Sequence, residues 1–197
     1  MSTRIHTNKK GVRVLGISES FVKSKSKKSI LAGVVMRADL IVDGFSFSRT
    51  TVGGMDATDC VIQLYQMLRR EDINFIFLNG CVISWFNIIN LERVHNDTDL
   101  PVICTTYEES EGLDKYFLEY FGTEAADRLA QYKENGEREE LRLHTGKTVF
   151  ARYLGLDRKE AVRILDRFTL QGAIPDPLRV ARLLARTLVQ QMPETIL

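Results

Sequence analysis

Little in this chain matches the chemistries that are easiest to read from sequence. Cysteine is scarce and unpatterned: Cys60, Cys81 and Cys104 are an odd set without CxxC spacing, each inside an apolar run. They read as buried free thiols of a reducing, cytoplasmic compartment, not as a metal cluster. Histidine is as thin, since His6, His95 and His144 are scattered and form no HExxH or other ligand spacing. Neither sign of charge dominates, with 27 Lys and Arg against 26 Asp and Glu for a net charge of +1. A nucleic-acid partner would therefore have to be met by a local patch. Long hydrophobic runs are missing too. The longest stretch without a charge, 73–91, holds Asn74, Asn79, Gly80, Ser84, Asn87 and Asn90. That is too polar for a lipid-facing helix, so no membrane association is expected. The N-terminus is polar and has no apolar core of a signal peptide.

What is present is an ordinary globular balance: 197 residues, 44% hydrophobic and 27% charged. The length suits one domain over 1–197, with 1–10 as a flexible tail. Val12 to Ser18 is a short apolar strand, followed by a lysine-rich loop over 23–28. Ile30 to Met36 and Leu40 to Thr51 are β-rich runs separated only by Arg37-Ala38-Asp39. The chain therefore opens as an antiparallel three-strand meander.

After Gly53-Gly54 the period changes, and Asp56 is placed to cap a helix carrying Ala57, Val61, Leu64, Tyr65 and Leu68. Ile73 to Leu78 reads as a strand buried on both faces and ending at Asn79-Gly80. A helix around 87–96 and a strand over 100–104 complete a right-handed βαβ unit with parallel strands. Two charged helices are expected near 111–120 and 124–135, then a solvated stretch over 134–140 and a hairpin over 141–154 turning at Gly146. Asp157 and Glu160 form a capping-box start for a helix stopped at Gly172. Asp176-Pro177 opens the last helix, with Asp176 as its cap and Pro177 at the first helical position.

Several residues carry two readings. Asn79 is either the remnant of a site at a strand end or a turn former. Asp56 is a helix cap, a ligand, or both. Lys25 and Lys27 sit in a solvated loop that can also touch phosphates, and Arg179, Arg182 and Arg186 form a stripe that is a solvated face or a phosphate track. Trp85 and Phe86 either stack on a displaced base or pack a helix start. Gly146-Lys147-Thr148 is no P-loop, because the upstream glycine that motif needs is Leu141 and the flanks read as a hairpin.

Six strings, in order, carry a resemblance: Gly16-Ile17-Ser18-Glu19-Ser20-Phe21; Thr51 to Thr58; Leu78-Asn79-Gly80; Phe86 to Asn90, opening a helix; Leu100 to Ile103; and Thr169 to Ala181. Together they resemble a long-uncharacterised, largely archaeal family related to endonuclease V, some of whose members are described as deoxyuridine-directed endonucleases. The resemblance implies an α/β, ribonuclease-H-like mixed sheet, an antiparallel meander plus parallel strands with helices on both faces. It also implies DNA or another nucleic acid as partner, and carboxylates at neighbouring strand ends holding Mg²⁺ or Mn²⁺ for phosphodiester hydrolysis.

This chain departs from the family pattern where acids are expected. Ser18 stands at the end of the first strand, Asn79 before the strand-end glycine, and Arg182 where a His or Asp follows the alanine of the last helix. The remaining candidates are Glu19 and Asp56 as metal ligands and catalytic groups. Asn79 would hold a water or phosphate oxygen, and Lys25, Lys27, Arg179 and Arg182 would contact nucleic acid. Glu19 should point away from Ser18 by strand alternation. The expected function is an endonuclease-V-like nucleic-acid-binding protein with weak or lost hydrolysis. The alternative is a noncatalytic scaffold that keeps the fold for a protein partner.

Overall fold

The computed structural model describes residues 11–23, 25–110 and 112–192. The expected N-terminal tail, with His6, lies outside the described residues, as does Ser24 within the lysine loop. Three strands, β1 (Arg13–Ser20), β2 (Lys28–Arg37) and β3 (Val42–Thr51), form the expected meander. The helix α1 (Ala57–Leu68) leads to β4 (Phe75–Asn79), which pairs in parallel with β1. A hairpin of β5 (Val82–Ile83) and β6 (Asn87–Ile88) precedes α2 (Leu91–Thr98) and β7 (Val102–Thr106), parallel to β4.

Two helices follow, α3 (Asp114–Phe121) and α4 (Ala125–Glu134), and then a second hairpin of β8 (Glu139–Arg142) and β9 (Thr148–Leu154). The chain closes with α5 (Arg158–Arg167) and α6 (Asp176–Gln191). The sheet order is β3-β2-β1-β4-β7-β9-β8, with β9 antiparallel to β7. This is the mixed sheet the sequence implies.

Side chains alternate between two buried layers, as a central sheet requires. Leu15, Ile17, Ile76, Leu78 and Val102 face α1 and α2, while Val14, Phe75, Phe77 and Ile103 face α5 and the start of α6. A smaller cluster joins Ile88 to Phe117 and Ala125, fixing α3 and α4 over the first hairpin.

Four local expectations are corrected. The helix expected from about 87 does not begin there: 82–88 is a hairpin, and α2 starts at Leu91, capped by Asn90, whose side chain accepts from the Arg93 amide at 2.9 Å. The hairpin tip turns through Ser84, Trp85 and Phe86, all at positive φ (46°, 61° and 61°). No local rule favours three such residues in succession, and tertiary contacts hold them there. Asp56 stands at the N-cap position of α1 but caps nothing with its side chain. The N-cap of α6 is Pro175 and not Asp176, whose carboxylate instead accepts from the Leu170 amide at 2.7 Å. The stretch at 134–140 is partly tied down, since the Asn135 amide group donates to Ile89 O at 2.8 Å. The capping box at Asp157 and Glu160 forms as expected.

Candidate functional site

The parallel strands β1, β4 and β7 end on the same side of the sheet, where a doubly covered sheet offers its polar openings. Ile17 pairs with Leu78 and Asn79 with Thr105, so Ser18, Asn79 and Thr105 lie in one row across three strands. Alternation sends Ser18 and Asn79 toward α6 and Glu19 toward the α1 face. Ser18 is spent on structure: its hydroxyl donates to Leu178 O in α6 at 2.9 Å.

Glu19 borders the same small cavity as Ser18 and Asn79, but it reaches it from the opposite face. Its carboxyl accepts from the Ser29 hydroxyl at 2.8 Å and from the Ser84 amide at 3.4 Å. Burial raises its pKa above the ordinary carboxylate value, and the Ser29 and Ser84 hydrogen bonds and the Arg182 charge only partly offset that.

Asp56 is in the reverse condition. Oδ1 accepts from the Thr50 hydroxyl at 2.6 Å, the Thr51 amide at 3.0 Å and the Asn87 amide group at 2.7 Å. Oδ2 accepts from the Thr51 hydroxyl at 2.7 Å. Burial works to raise its pKa, but these hydrogen bonds prevail and hold it well below the usual range. Asn87 completes the knot by accepting from the first amide of α1, Ala57 N, at 3.0 Å. The Asp56 oxygens thus tie the end of β3 to the hairpin and to the start of α1. Glu19 and Asp56 touch the same hairpin at Ser84 and Asn87 respectively, and share no hydrogen bond.

The loop between β3 and α1 is held from outside as well. Arg128 of α4 donates to Gly53 O at 2.6 Å, Gly54 O at 2.8 Å and Phe86 O at 2.9 Å. Trp85 and Phe86 pack edge-on against Tyr120, Phe117 and Phe121, with Lys23 Nζ 4.0 Å from the Trp85 ring centroid. They buttress α3 and do not start a helix.

Among the expected basic residues, Arg182 is exposed and makes no hydrogen bond or close ion pair with another described residue, while its charge acts on both Glu19 and Tyr107. Arg179 is engaged, donating to Gln171 O at 2.8 Å and Ile174 O at 3.2 Å. Lys25 and Lys27 are exposed in the loop between β1 and β2, and Lys27 O accepts from Val52 N at 3.0 Å, beside the β3–α1 loop.

Residues beyond the sequence-based set complete the opening. A cleft of about 350 Å³ adjoins Asn79 and includes Thr105, Tyr107, Arg138 and Arg152. The Tyr107 hydroxyl lies 3.0 Å from the Thr105 hydroxyl, and burial pushes its pKa up to about 12. Only Thr105-Thr106-Tyr107 at the end of a buried strand hinted at this in the sequence. Arg138 and Arg152 come from the second hairpin, whose approach to β7 no local pattern foretells.

A divalent ion does not fit these residues. Hard cations want several anionic oxygens at once. Glu19 faces away from Ser18 and Asn79, the Asp56 oxygens are saturated, and Arg182 brings positive charge. Among the described residues, no three His, Cys, Asp or Glu side chains are grouped to hold a metal.

Comparison with known proteins decides the family. The family described as endonuclease dU matches residues 10–189. This chain belongs to that family. A UPF0215 protein of Thermococcus kodakarensis is 34% identical over 184 residues, covering 88% of this chain and 90% of that one. A UPF0215 protein of Pyrobaculum aerophilum is 31% identical over 171 residues, covering 87% and 91%. In structure, a protein of unknown function from Archaeoglobus fulgidus superposes with a TM-score of 0.76 at 26% identity, over 90% of this chain and 98% of that one. Endonuclease V of Ciona intestinalis, in complex with DNA containing an inosine, superposes with a TM-score of 0.61 at 13% identity, over 92% and 87%. That likeness carries the fold alone: a ribonuclease-H-like sheet, as expected. No helix among the described residues is long and apolar enough to cross a membrane.

Proposed function

We propose that this endonuclease dU family member binds DNA or another nucleic acid along the C-terminal ends of β1, β4 and β7, and that its metal-dependent phosphodiester hydrolysis is weak or lost. One observation carries the reading: the charge of Arg182, which makes no hydrogen bond or close ion pair with another described residue, acts on Glu19 and Tyr107, next to a strand-end row of neutral side chains, Ser18, Asn79 and Thr105, where a carboxylate set would repel phosphate. Arg182 supplies the attraction, and Asn79, whose side chain makes no hydrogen bond with another described residue, orients a phosphate oxygen. Lys25 and Lys27 extend the positive track along the neighbouring loop, with Arg179 at its other edge. Glu19 and Asp56 hold the hairpin that walls the site.

The test is binding and cleavage measured on the same oligonucleotides. Labelled DNA containing deoxyuridine or deoxyinosine should bind with an affinity that falls as salt rises, and Arg182→Ala should weaken binding and flatten the salt slope by about one charge. With Mg²⁺ or Mn²⁺, strand cleavage should stay near the protein-free background. Robust cleavage by the unmodified chain would overturn the reading, and its loss in Glu19→Gln or Asp56→Asn would return those carboxylates to a catalytic role. Installing Ser18→Asp and Asn79→Asp together in Arg182→Asp should raise divalent-ion affinity by calorimetry.

A second reading has its own observation. The edge strand β3 exposes Phe45 and Phe47 side by side, a surface suited to a protein partner. On that reading, Phe45→Ser would abolish partner capture and leave DNA binding unchanged.

A further inference from the structure

Two of the three cysteines meet beneath the cleft beside Asn79. Gly80 N donates to Thr105 O at 3.0 Å, which carries the segment beyond β4 alongside β7. Cys81, on that segment, lies at the cleft wall. Cys104, within β7, is buried behind it, and the two cysteines belong to one buried core cluster. The register of β7 with β9 sets Arg152 opposite Cys104. Arg152 Nη1 reaches Cys81 Sγ at 3.5 Å, and its Nε donates to Gly136 O at 2.7 Å.

Arg152 is only 8% exposed, and none of the ion pairs among the described residues includes it. A buried guanidinium without a carboxylate is costly, and a thiolate at Cys81 offsets that cost. Donation from the Cys104 thiol, and then the Arg152 charge, lower the Cys81 pKa against the effect of burial. The same hydrogen bond, with burial, pushes Cys104 well up. Cys60 is a contrast within the same chain: its thiol donates to Arg49 O at 3.1 Å, and burial and the Asp56 charge raise its pKa.

We propose that Cys81 and Cys104 form a peroxide-sensitive dithiol, Cys81 attacking the oxidant and Cys104 resolving it into a disulfide under the cleft. The Cys81 thiolate attacks one oxygen of a hydroperoxide and the O–O bond breaks. The departing hydroxide or alkoxide takes a proton from solvent, and Cys81 becomes a sulfenic acid, oxidised by two electrons. Cys104 then loses its proton and attacks that sulfur; the S–S bond forms, the S–O bond breaks, and the oxygen leaves as water. In sum, two thiols and one hydroperoxide give one disulfide, one alcohol (or water) and one water. This assignment stands apart from the nucleic-acid reading, since neither thiol is needed for that contact.

The test uses the full chain, fully reduced, then exposed to hydrogen peroxide, unfolded in an alkylating agent and mapped by peptide mass spectrometry. The expected result is an intrachain Cys81–Cys104 linkage with Cys60 alkylated. Before peroxide, Cys81 should react with iodoacetamide at neutral pH about tenfold faster than Cys60, despite being the more buried of the two. In Cys104→Ser, the sulfenic acid at Cys81 should persist and be trapped by dimedone. In Cys81→Ser, Cys104 should stay reduced. Preferential oxidation of Cys60, a linkage between chains, or a pair that stays reduced under peroxide that oxidises free cysteine would each overturn the proposal.

Discussion

Asp56 and Glu19 flank one hairpin and illustrate how the same functional group takes opposite roles. Asp56 accepts from two hydroxyls, a backbone amide and a side-chain amide, and is an anion dissolved in protein donors. Glu19 has one hydroxyl and one long amide contact in a drier place, and is held toward its neutral form. The number of donors decides between them: four good ones outweigh burial and two do not. A carboxylate in a sequence string is therefore no measure of the charge available to a metal.

The contrast can be broken most forcefully at Asp56. Asp56→Ala should cost about 3 kcal/mol, since it leaves several donors unsatisfied, and lower Tm by roughly 6–12 °C for a chain of this size. Thermal denaturation checks this, and an unchanged Tm would show that the network is incidental. The sign of the pH dependence follows from the lowered pKa. The stability that Asp56 contributes is fully present above the unfolded aspartate range and is lost only as pH falls through its lower native value. Next in size is the coupling between partners. Asp56→Ala and Asn87→Ala combined should fall short of additivity by about 1 kcal/mol or more, because each removes the same knot.

Glu19 should behave in the opposite sense. Its raised pKa means that folding favours the protonated acid, so stability falls as pH rises from the unfolded glutamate range through the native value. Glu19→Gln should therefore stabilise the protein at neutral pH, by up to about 1 kcal/mol, and the gain should vanish in acid. A loss of stability at neutral pH would mean that the ionised form is the one the fold prefers. The smallest effect is expected from the exposed lysines. Lys25→Ala or Lys27→Ala should leave the unfolding free energy within about 0.5 kcal/mol of unchanged while reducing DNA affinity modestly at low salt.

Much of the sheet was legible because its signals are local and redundant. Strand runs separated by Arg37-Ala38-Asp39 read as a hairpin, and the apolar run before Asn79 read as a buried strand. The segment 82–88 was not legible. Its apolar residues have no clear period, and the left-handed run Ser84-Trp85-Phe86 exists only because Gly53, Glu19, Arg128 and the α3 aromatics hold it from several directions. Asp56 was misread as a cap for a related reason. Its nearest amides are those of α1, but its donors come from residues behind it and from Asn87, 31 positions along the chain. The opposition of Glu19 and Ser18 was readable, since alternation along a strand needs only the count of residues. Arg138 and Arg152 were hidden because they reach the cleft through the pairing of β9 with β7.

Gly16 bears on all of this from a distance. A side-chain carbon at that position would meet the Pro177 side chain at 2.6 Å and its backbone carbon at 2.7 Å. The height of α6 above the sheet is therefore set by a missing methyl group, and with it the reach of Arg182 over the strand ends. Any larger residue at Gly16 would act as a shim under the helix, changing how strongly the site attracts anions without altering a single charge.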